Sequence, residues 1–262
     1  MKLKIQELKF KIFLFSMLFT VCCSLFTVSY AAHPLITDDT GTQGKGKFQL
    51  ELNGEYGHDK EDGVTTKTTQ AAATLTYGVI DPLDIVLGIP YQQIKTKDSE
   101  TVMTNDGISD MSIELKWRFY ETDGFSFALK PGLTLPTGDD DKGLGSGRTT
   151  CHLFLITTKE IKPWAFHLNL GYNRNENKVD ERKDIWHASL ASTVEVIKDI
   201  KLAANIGAER NPDKSSNTHP AFIIGGLIYS ISENFDIDFG IKGGLNKPET
   251  DYSVLAGITW RF

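Results

Sequence analysis

The chain has 262 residues, 40% of them hydrophobic and 24% charged, enough to bury one large β domain or two smaller ones. With 34 acidic against 28 basic residues the net charge is −6, a surface that does not invite nucleic acid.

Lys2, Lys4, Lys9 and Lys11 precede an apolar run from Ile12 to Val28, and Ser29-Tyr30-Ala31 follows it. That order reads as a secretory signal peptide over residues 1–31, cut after Ala31. An uncleaved anchor helix competes, although the run is short for one. A lipoprotein signal on Cys22 or Cys23 also competes, although Phe19-Thr20-Val21 before them makes a poor motif. Removing the segment takes four basic residues and one acidic residue, which leaves 24 against 33 and a net charge of −9. Cys151 then stands alone, so the mature chain has no internal disulfide even in an oxidising compartment.

Residues 32–46 form a polar lead that includes Thr37-Asp38-Asp39, and residues 47–262 are dominated by a period of two. In KFQLELNGEY, Phe48, Leu50, Leu52 and Tyr56 oppose Gln49, Glu51, Asn53 and Glu55. In DMSIELKWRF, Met111, Ile113, Leu115, Trp117 and Phe119 oppose Asp110, Ser112, Glu114, Lys116 and Arg118. Side chains of a strand point alternately to its two faces, so each segment has one oily and one wet side. Twelve such segments start near Lys47, Thr68, Leu83, Ser109, Phe125, Thr149, Trp164, Ile185, Lys201, Ala221, Phe235 and Tyr252. Each has about the nine to eleven residues that a tilted strand needs to cross a bilayer. The sixth, around CHLFLIT, and the tenth, around FIIGGLIY, leave the apolar face ambiguous. Pro131 and Pro136 in the fifth remove ladder donors and predict a bend or bulge near the loop that follows.

The connections alternate in length. Short ones fall at Asp81-Pro82, Glu121 to Gly124, Lys159 to Pro163, Lys198-Asp199 and Ser232 to Asn234. Longer polar ones span Gly57 to Lys67, Lys95 to Ile108, Thr137 to Gly147, Arg174 to Asp184, Asn211 to His219 and Asn246 to Asp251. This asymmetry predicts an all-β chain folded as a transmembrane antiparallel up-and-down β-barrel of about twelve strands, with short periplasmic turns and longer extracellular loops.

A water-soluble barrel shares the period with its oily face inward. The aromatics separate the two. Phe48, Trp117, Phe119, Phe125, Phe127, Trp164, Tyr229, Phe235, Trp260 and Phe262 fall beside short turns, whereas Tyr56, Tyr91, Tyr172, Trp186, Phe222 and Tyr252 fall beside long loops. Two girdles flanking an aliphatic band are what membrane interfaces select. The closing YSVLAGITWRF is expected to pair with the first strand, because a bilayer leaves no backbone group without a partner. With a barrel in place, the lead of residues 32–46 reads either as a periplasmic extension or as a partial plug folded into the lumen.

Alternation assigns Glu114, Lys116, Arg118, Lys130, His167, His187, Glu195, Lys201, Glu209, Asp236, Asp238, Lys242 and Arg261 to the lumen. If Phe119 pairs with Phe125, Glu114 faces Lys130; if Leu245 pairs with Tyr252, Asp236 faces Arg261. Such charges would either line a constriction that filters solutes or neutralise one another in a mostly plugged barrel.

No catalytic, cofactor or metal site is predicted. His187 and Ser189 share a strand face, but neighbours along a strand are not expected to touch productively, and His58-Asp59 reads as a solvated loop pair. Asp139-Asp140-Asp141 with Gly143, Gly145 and Gly147 lacks the distal Glu of an EF-hand and the Lys-Ser/Thr of a P-loop. It reads as a flexible outward loop whose carboxylates could bind divalent ions that bridge lipopolysaccharide.

HPLITDDTGTQGKGKFQLELNGEY, YGVIDPLDIVLGIPY and GISDMSIELKWRFYETDGFSFALKPGLTLPTGDDDKGLGSGR together resemble the outer-membrane β-barrel transporter family of the meta-pathway of phenol degradation. The resemblance implies a barrel in the outer membrane of a Gram-negative cell that admits aromatic or other small hydrophobic solutes. A structural or adhesive barrel with a closed lumen is the alternative, and a barrel hydrolase a third reading. The partners implied are outer-membrane lipid and lipopolysaccharide, a small-molecule solute, and the barrel-assembly machinery, reached through the C-terminal strand ending in Phe262.

Overall fold

A computed structural model describes residues 33–61 and 63–262 of the chain; the signal-peptide reading of residues 1–31 lies outside them. Thirteen strands follow in order: β1 (Phe48–Glu61), β2 (Val64–Ile80), β3 (Leu83–Lys97), β4 (Val102–Ile108), β5 (Met111–Thr122), β6 (Phe125–Leu135), β7 (Thr150–Ile161), β8 (Trp164–Arg174), β9 (Asp184–Ile197), β10 (Ile200–Glu209), β11 (Ala221–Ser232), β12 (Phe235–Gly244) and β13 (Tyr252–Arg261). Consecutive strands pair antiparallel, save that β5 pairs with β3 and not with β4, and β13 returns to β1 with Gln49 opposite Arg261 and His58 opposite Tyr252. The last residue continues that seam: Phe48 donates its N–H to the Phe262 carbonyl at 2.8 Å and accepts from the Phe262 N–H at 2.9 Å. Twelve strands therefore close a barrel with no free edge in the wall.

The thirteenth strand arises where the sequence pattern reads as loop. β4 pairs only with the far half of β3, and β5 with its near half. Tyr91 lies opposite Ile108 and Gly88 opposite Ser112, so Ser109-Asp110 forms a bulge between two pieces of one interrupted strand. Likewise β1 and β2 stay paired out to Glu61 opposite Val64. The expected loops Gly57–Lys67 and Lys95–Ile108 are thus mostly hairpin. Their polar residues, rich in Thr, keep β geometry because cross-strand pairing does not require an apolar face once the strands leave the bilayer.

The apolar side of the alternation faces outward. Leu52, Leu87, Ile89, Leu168, Leu170, Ile206 and Ile241 are exposed, and Trp117, Trp164, Trp260 and Phe262 are exposed near the short turns. A large exposed aliphatic band between aromatic rims is stable only against hydrocarbon. Phe222 departs from the expected girdle. It is buried inside, clustered with Ile224 and Leu255, and its ring fills the space that a side chain at Gly207 would take. The two ambiguous segments resolve on the same principle, because β7 and β11 send Ile156, Ile224 and Ile228 inward and so carry apolar residues on both faces.

Two expectations about the ladder need correction. Pro131 causes no register shift: its pairing with β7 is continuous, and the β5–β6 ladder is merely interrupted opposite it. The shift falls between Arg118 and Tyr120, near the short turn, where one extra residue puts both Phe119 and Tyr120 outside. Because Trp117 pairs with Leu129, Glu114 lies opposite Gly132, not Lys130. Gly243 pairs with Tyr252, so Asp236 lies opposite Thr259, not Arg261.

Candidate functional site

Inside the barrel runs the segment that precedes β1. Starting from the β12 wall, His33 Nδ1 lies 2.5 Å from Asp238 Oδ1. The Asn205 carboxamide on β10 accepts from the N–H groups of Ile36 and Thr37 at 2.8 and 3.1 Å and donates to the Thr37 hydroxyl at 2.7 Å. Thr40 donates its N–H to Thr158 Oγ1 at 3.1 Å, and its hydroxyl lies 2.5 Å from Ser126 Oγ. Gln43 donates its N–H to the Asp84 carboxylate on β3 at 3.0 Å. The segment thereby spans the lumen from one wall to the other.

Glycines mark its path. A Cβ at Gly226 or Gly240 would run into Pro34, and one at Gly78 would overlap the backbone of Gly44 where the segment leaves the lumen. An inward glycine gives the closest possible approach of a second backbone, which accounts for Gly at these positions on β2, β11 and β12.

Charge is concentrated at the middle of the crossing. By the β5–β6 register Lys116 lies opposite Lys130, a like-charge pair that would be destabilising alone. Asp38 bridges them, with Oδ1 2.9 Å from Lys116 Nζ and Oδ2 3.2 Å from Lys130 Nζ. Asp39 adds a contact of 3.2 Å to Lys116. Behind them Glu114 takes Lys130 at 3.0 Å and His152 at 2.7 Å. The ion pair between Glu114 and Lys130 therefore forms, but diagonally, and only as part of a six-residue cluster with the segment at its centre. Arg261 likewise reaches Asp236 at 2.8 Å from a diagonal position.

The other candidates divide by depth. His167 is completely buried, and its Nδ1 lies 3.0 Å from the Thr158 hydroxyl. Lys242 pairs with Glu55 at 3.3 Å and with Glu249 at 3.2 Å toward the long-loop end. Arg118 pairs with Glu121 at 3.3 Å beside a short turn. Glu195 and Lys201 border a cavity of about 340 Å³ at the short-turn mouth. A second cavity of about 250 Å³ lies against the segment and is lined by Glu51, Asn53, Ser112, Glu114, Lys116 and Lys130 among others. Asn205, Asp84, Ser126 and Thr158, which hold the segment, are absent from the charged set read off the sequence. Their only signal is the abundance of small polar residues on the inward face.

One contact runs against expectation: His187 Nε2 lies 3.0 Å from Ser189 Oγ, and His187 Nδ1 lies 3.5 Å from Glu209 Oε2. The order hydroxyl, imidazole, carboxylate is that of an activated nucleophile. However, Ser189 is 3% exposed and sits mid-strand between Asn169 and Gly207, where the backbone N–H groups serve the ladders and do not form an oxyanion hole. Among the described residues no cluster of three or more His, Cys, Asp or Glu is placed to hold a metal, and Asp139 to Asp141 form a short turn in a loop tied down by Asp110.

A closed antiparallel barrel with an aliphatic exterior, aromatic rims and a polar lumen defines the class: a β-barrel of the outer-membrane type. The chain belongs to the family described as "Putative MetA-pathway of phenol degradation", whose profile matches residues 31–262. Its fold is similar to the COG4313 outer membrane channel from Pseudomonas putida F1, with a TM-score of 0.67, 14% identity, 86% of this chain and 98% of that one covered. It is also similar to a KdgM porin in complex with disordered oligogalacturonate (TM-score 0.56, 9% identity, 82% and 99% covered) and to the NanC porin (0.54, 9%, 80% and 98%). No curated protein matches the chain in sequence.

Proposed function

We propose that the protein is an outer-membrane channel for small solutes, aromatic or otherwise apolar ones included, whose resting state is closed by residues 33–43. The observation that carries this reading is the Asp38 bridge. A segment held across the lumen by one carboxylate between two lysines is removable, because Lys130 keeps Glu114 at 3.0 Å when Asp38 and Asp39 leave, and Lys116 then faces the opened lumen. A permanently filled barrel would need no such detachable staple and could fill its lumen with apolar side chains at lower cost. The family membership and the fold it shares with channels and porins support the same reading.

Under this proposal Lys116, Lys130, Glu114, His152 and Asp84 line the passage once the segment is displaced, and Glu195 and Lys201 stand at the periplasmic mouth. The test is planar-bilayer conductance and liposome swelling with the intact protein and with a variant lacking residues 33–43. The intact protein should pass little current, and the shortened one a larger current with a preference for anions, since two carboxylates leave and two lysines stay. Equal, negligible conductance from both, with heat-modifiable migration showing both folded, would leave a structural barrel as the function. The Ser189–His187–Glu209 contact is a packing pair in this reading, and Ser189→Ala should leave passage unchanged.

A further inference from the structure

Four lysines gather on the outer surface of the projecting hairpins. Lys60 on β1, Lys67 on β2 and Lys95 and Lys97 on β3 are all exposed, and all share the outward face of their strands with Leu52, Leu75 and Ile89. The pairing places them in two rows. His58, Lys67 and Lys95 are directly opposite one another across three strands, and Lys60, Thr65 and Lys97 form the next row outward. Directly below lie Tyr56 and, one row further, Tyr91, while Tyr252 stacks on His58 at 5.2 Å. The lysines thus stand just above the long-loop aromatic girdle, on the side that faces lipid.

Among the described residues none of the four ammonium groups has a carboxylate within 4.0 Å, whereas several cations of the other long loops do: Lys142 with Asp139, Arg174 with Asp184, Lys178 with Asp140, Lys183 with Glu176 and Lys214 with Asp180. Two acidic side chains at the patch are engaged elsewhere: Asp106, opposite Gln93, accepts the Tyr91 hydroxyl at 2.6 Å, and Asp251 accepts the Lys60 backbone N–H at 3.0 Å. Directly opposed lysines such as Lys67 and Lys95 have Cβ atoms about 5 Å apart and repel each other unless an anion lies between them. Two rows of a sheet spaced by about 4.8 Å per strand present these amines over a width of about 10 Å, the scale of a phosphorylated sugar headgroup.

We propose that Lys67, Lys95 and Lys97, with Lys60 at the edge, form a binding site for the phosphates of the outer-leaflet glycolipid, whose acyl chains lie along the aliphatic band of β1–β3. The proposal rests on the long loops facing the cell exterior and is independent of whether solute passes through the lumen. It also explains why these hairpins project: they lift the lysines to the headgroup level and leave the lumen mouth to the other loops.

The test measures binding of bisphosphorylated lipid A to the purified full-length mature protein in neutral detergent with a divalent chelator, by native mass spectrometry. The Lys67→Ser/Lys95→Ser/Lys97→Ser variant should bind about a hundredfold more weakly, as expected for roughly fivefold per lysine near an anionic surface. A control variant, Lys178→Ser/Lys183→Ser/Lys214→Ser, should bind as the parent does. Lipid A stripped of both phosphates should bind the parent no better than bisphosphorylated lipid A binds the triple variant. Equal binding by parent and triple variant, or by lipid A with and without phosphates, overturns the site; binding of inorganic pyrophosphate that lipid A does not displace assigns a soluble anion and also overturns it. Should the triple variant not fold by heat-modifiable migration, Lys95→Ser alone is expected to weaken lipid A binding several-fold, and no change there overturns the proposal.

Discussion

Replacing Asp38 by asparagine keeps the size of the side chain and removes the charge that holds the segment at the centre of the lumen. Loss of one member of a buried ion cluster costs about 3–5 kcal/mol when the remaining charges are left alone. Here the cost is smaller. Lys116 keeps Asp39 at 3.2 Å and Lys130 keeps Glu114 at 3.0 Å, and the Asp38 side chain is 25% exposed. Screening and these retained contacts reduce the penalty to about 1–3 kcal/mol, which corresponds to a roughly 5- to 150-fold shift toward the displaced segment. Single-channel recording reads that shift as open probability, and limited proteolysis reads it as the cleavage rate within residues 33–46. Both should rise together. If Asp38→Asn leaves open probability and cleavage rate as they are in the parent, the carboxylate does not hold the segment and the reasoning about the staple is refuted.

Three other outcomes follow from named contacts. Gly78→Val should accelerate cleavage of residues 33–46 while heat-modifiable migration is retained, because the new side chain meets the Gly44 backbone inside the barrel and not the strand ladder. Deleting Phe262 removes two seam hydrogen bonds and ring contacts with Phe48 and Trp260, at centroid distances of 5.6 and 4.7 Å, for a loss of about 2–3 kcal/mol, so the yield of folded barrel in a refolding assay should drop. In the loops, Lys183 beside Glu176, the Thr101 and Glu100 N–H groups around Asp98, and the Ser215 N–H on Asp213 hold these carboxylates below the usual range. A lowered carboxylate contributes stability that is present above its unfolded value and is lost as pH falls through the folded one. Loop cleavage by a protease should therefore be flat from neutral pH to about pH 5 and rise only below about pH 4, measured with a protease active in acid.

The barrel was legible because its signal is redundant: β8 from Trp164 alternates without a fault, β13 from Tyr252 departs only at the inward Leu255, and the short turns between strands fix register within a residue or two. What escaped was set by neighbours, not by period. Phe222 reads as a girdle aromatic until Gly207 on the adjoining strand gives its ring an inward seat. Glu114 and Lys130 could be assigned to one face but not to one row, because Thr122 pairs with Phe125 across a tighter turn than expected and, even after the bulge at Phe119, Glu114 faces Gly132, two residues from Lys130. The hairpins beyond the girdles were missed because threonine and lysine in alternation look like loop when only apolar residues are counted. The path of residues 33–43 was open for a similar reason. Its partners, Asn205, Asp84, Ser126 and Thr158, are ordinary inward polar residues, and only their convergence on one backbone distinguishes them.

The most direct measurement is a reversible lock on that backbone. The Thr37 and Asn205 side chains meet at 2.7 Å across the lumen, so Thr37→Cys and Asn205→Cys in a Cys151→Ser background place two thiols where an oxidant can join them. With the cross-link verified by mass, the account predicts no bilayer current from the oxidised protein and current that appears on addition of reductant. Equal current in the oxidised and reduced states would contradict it.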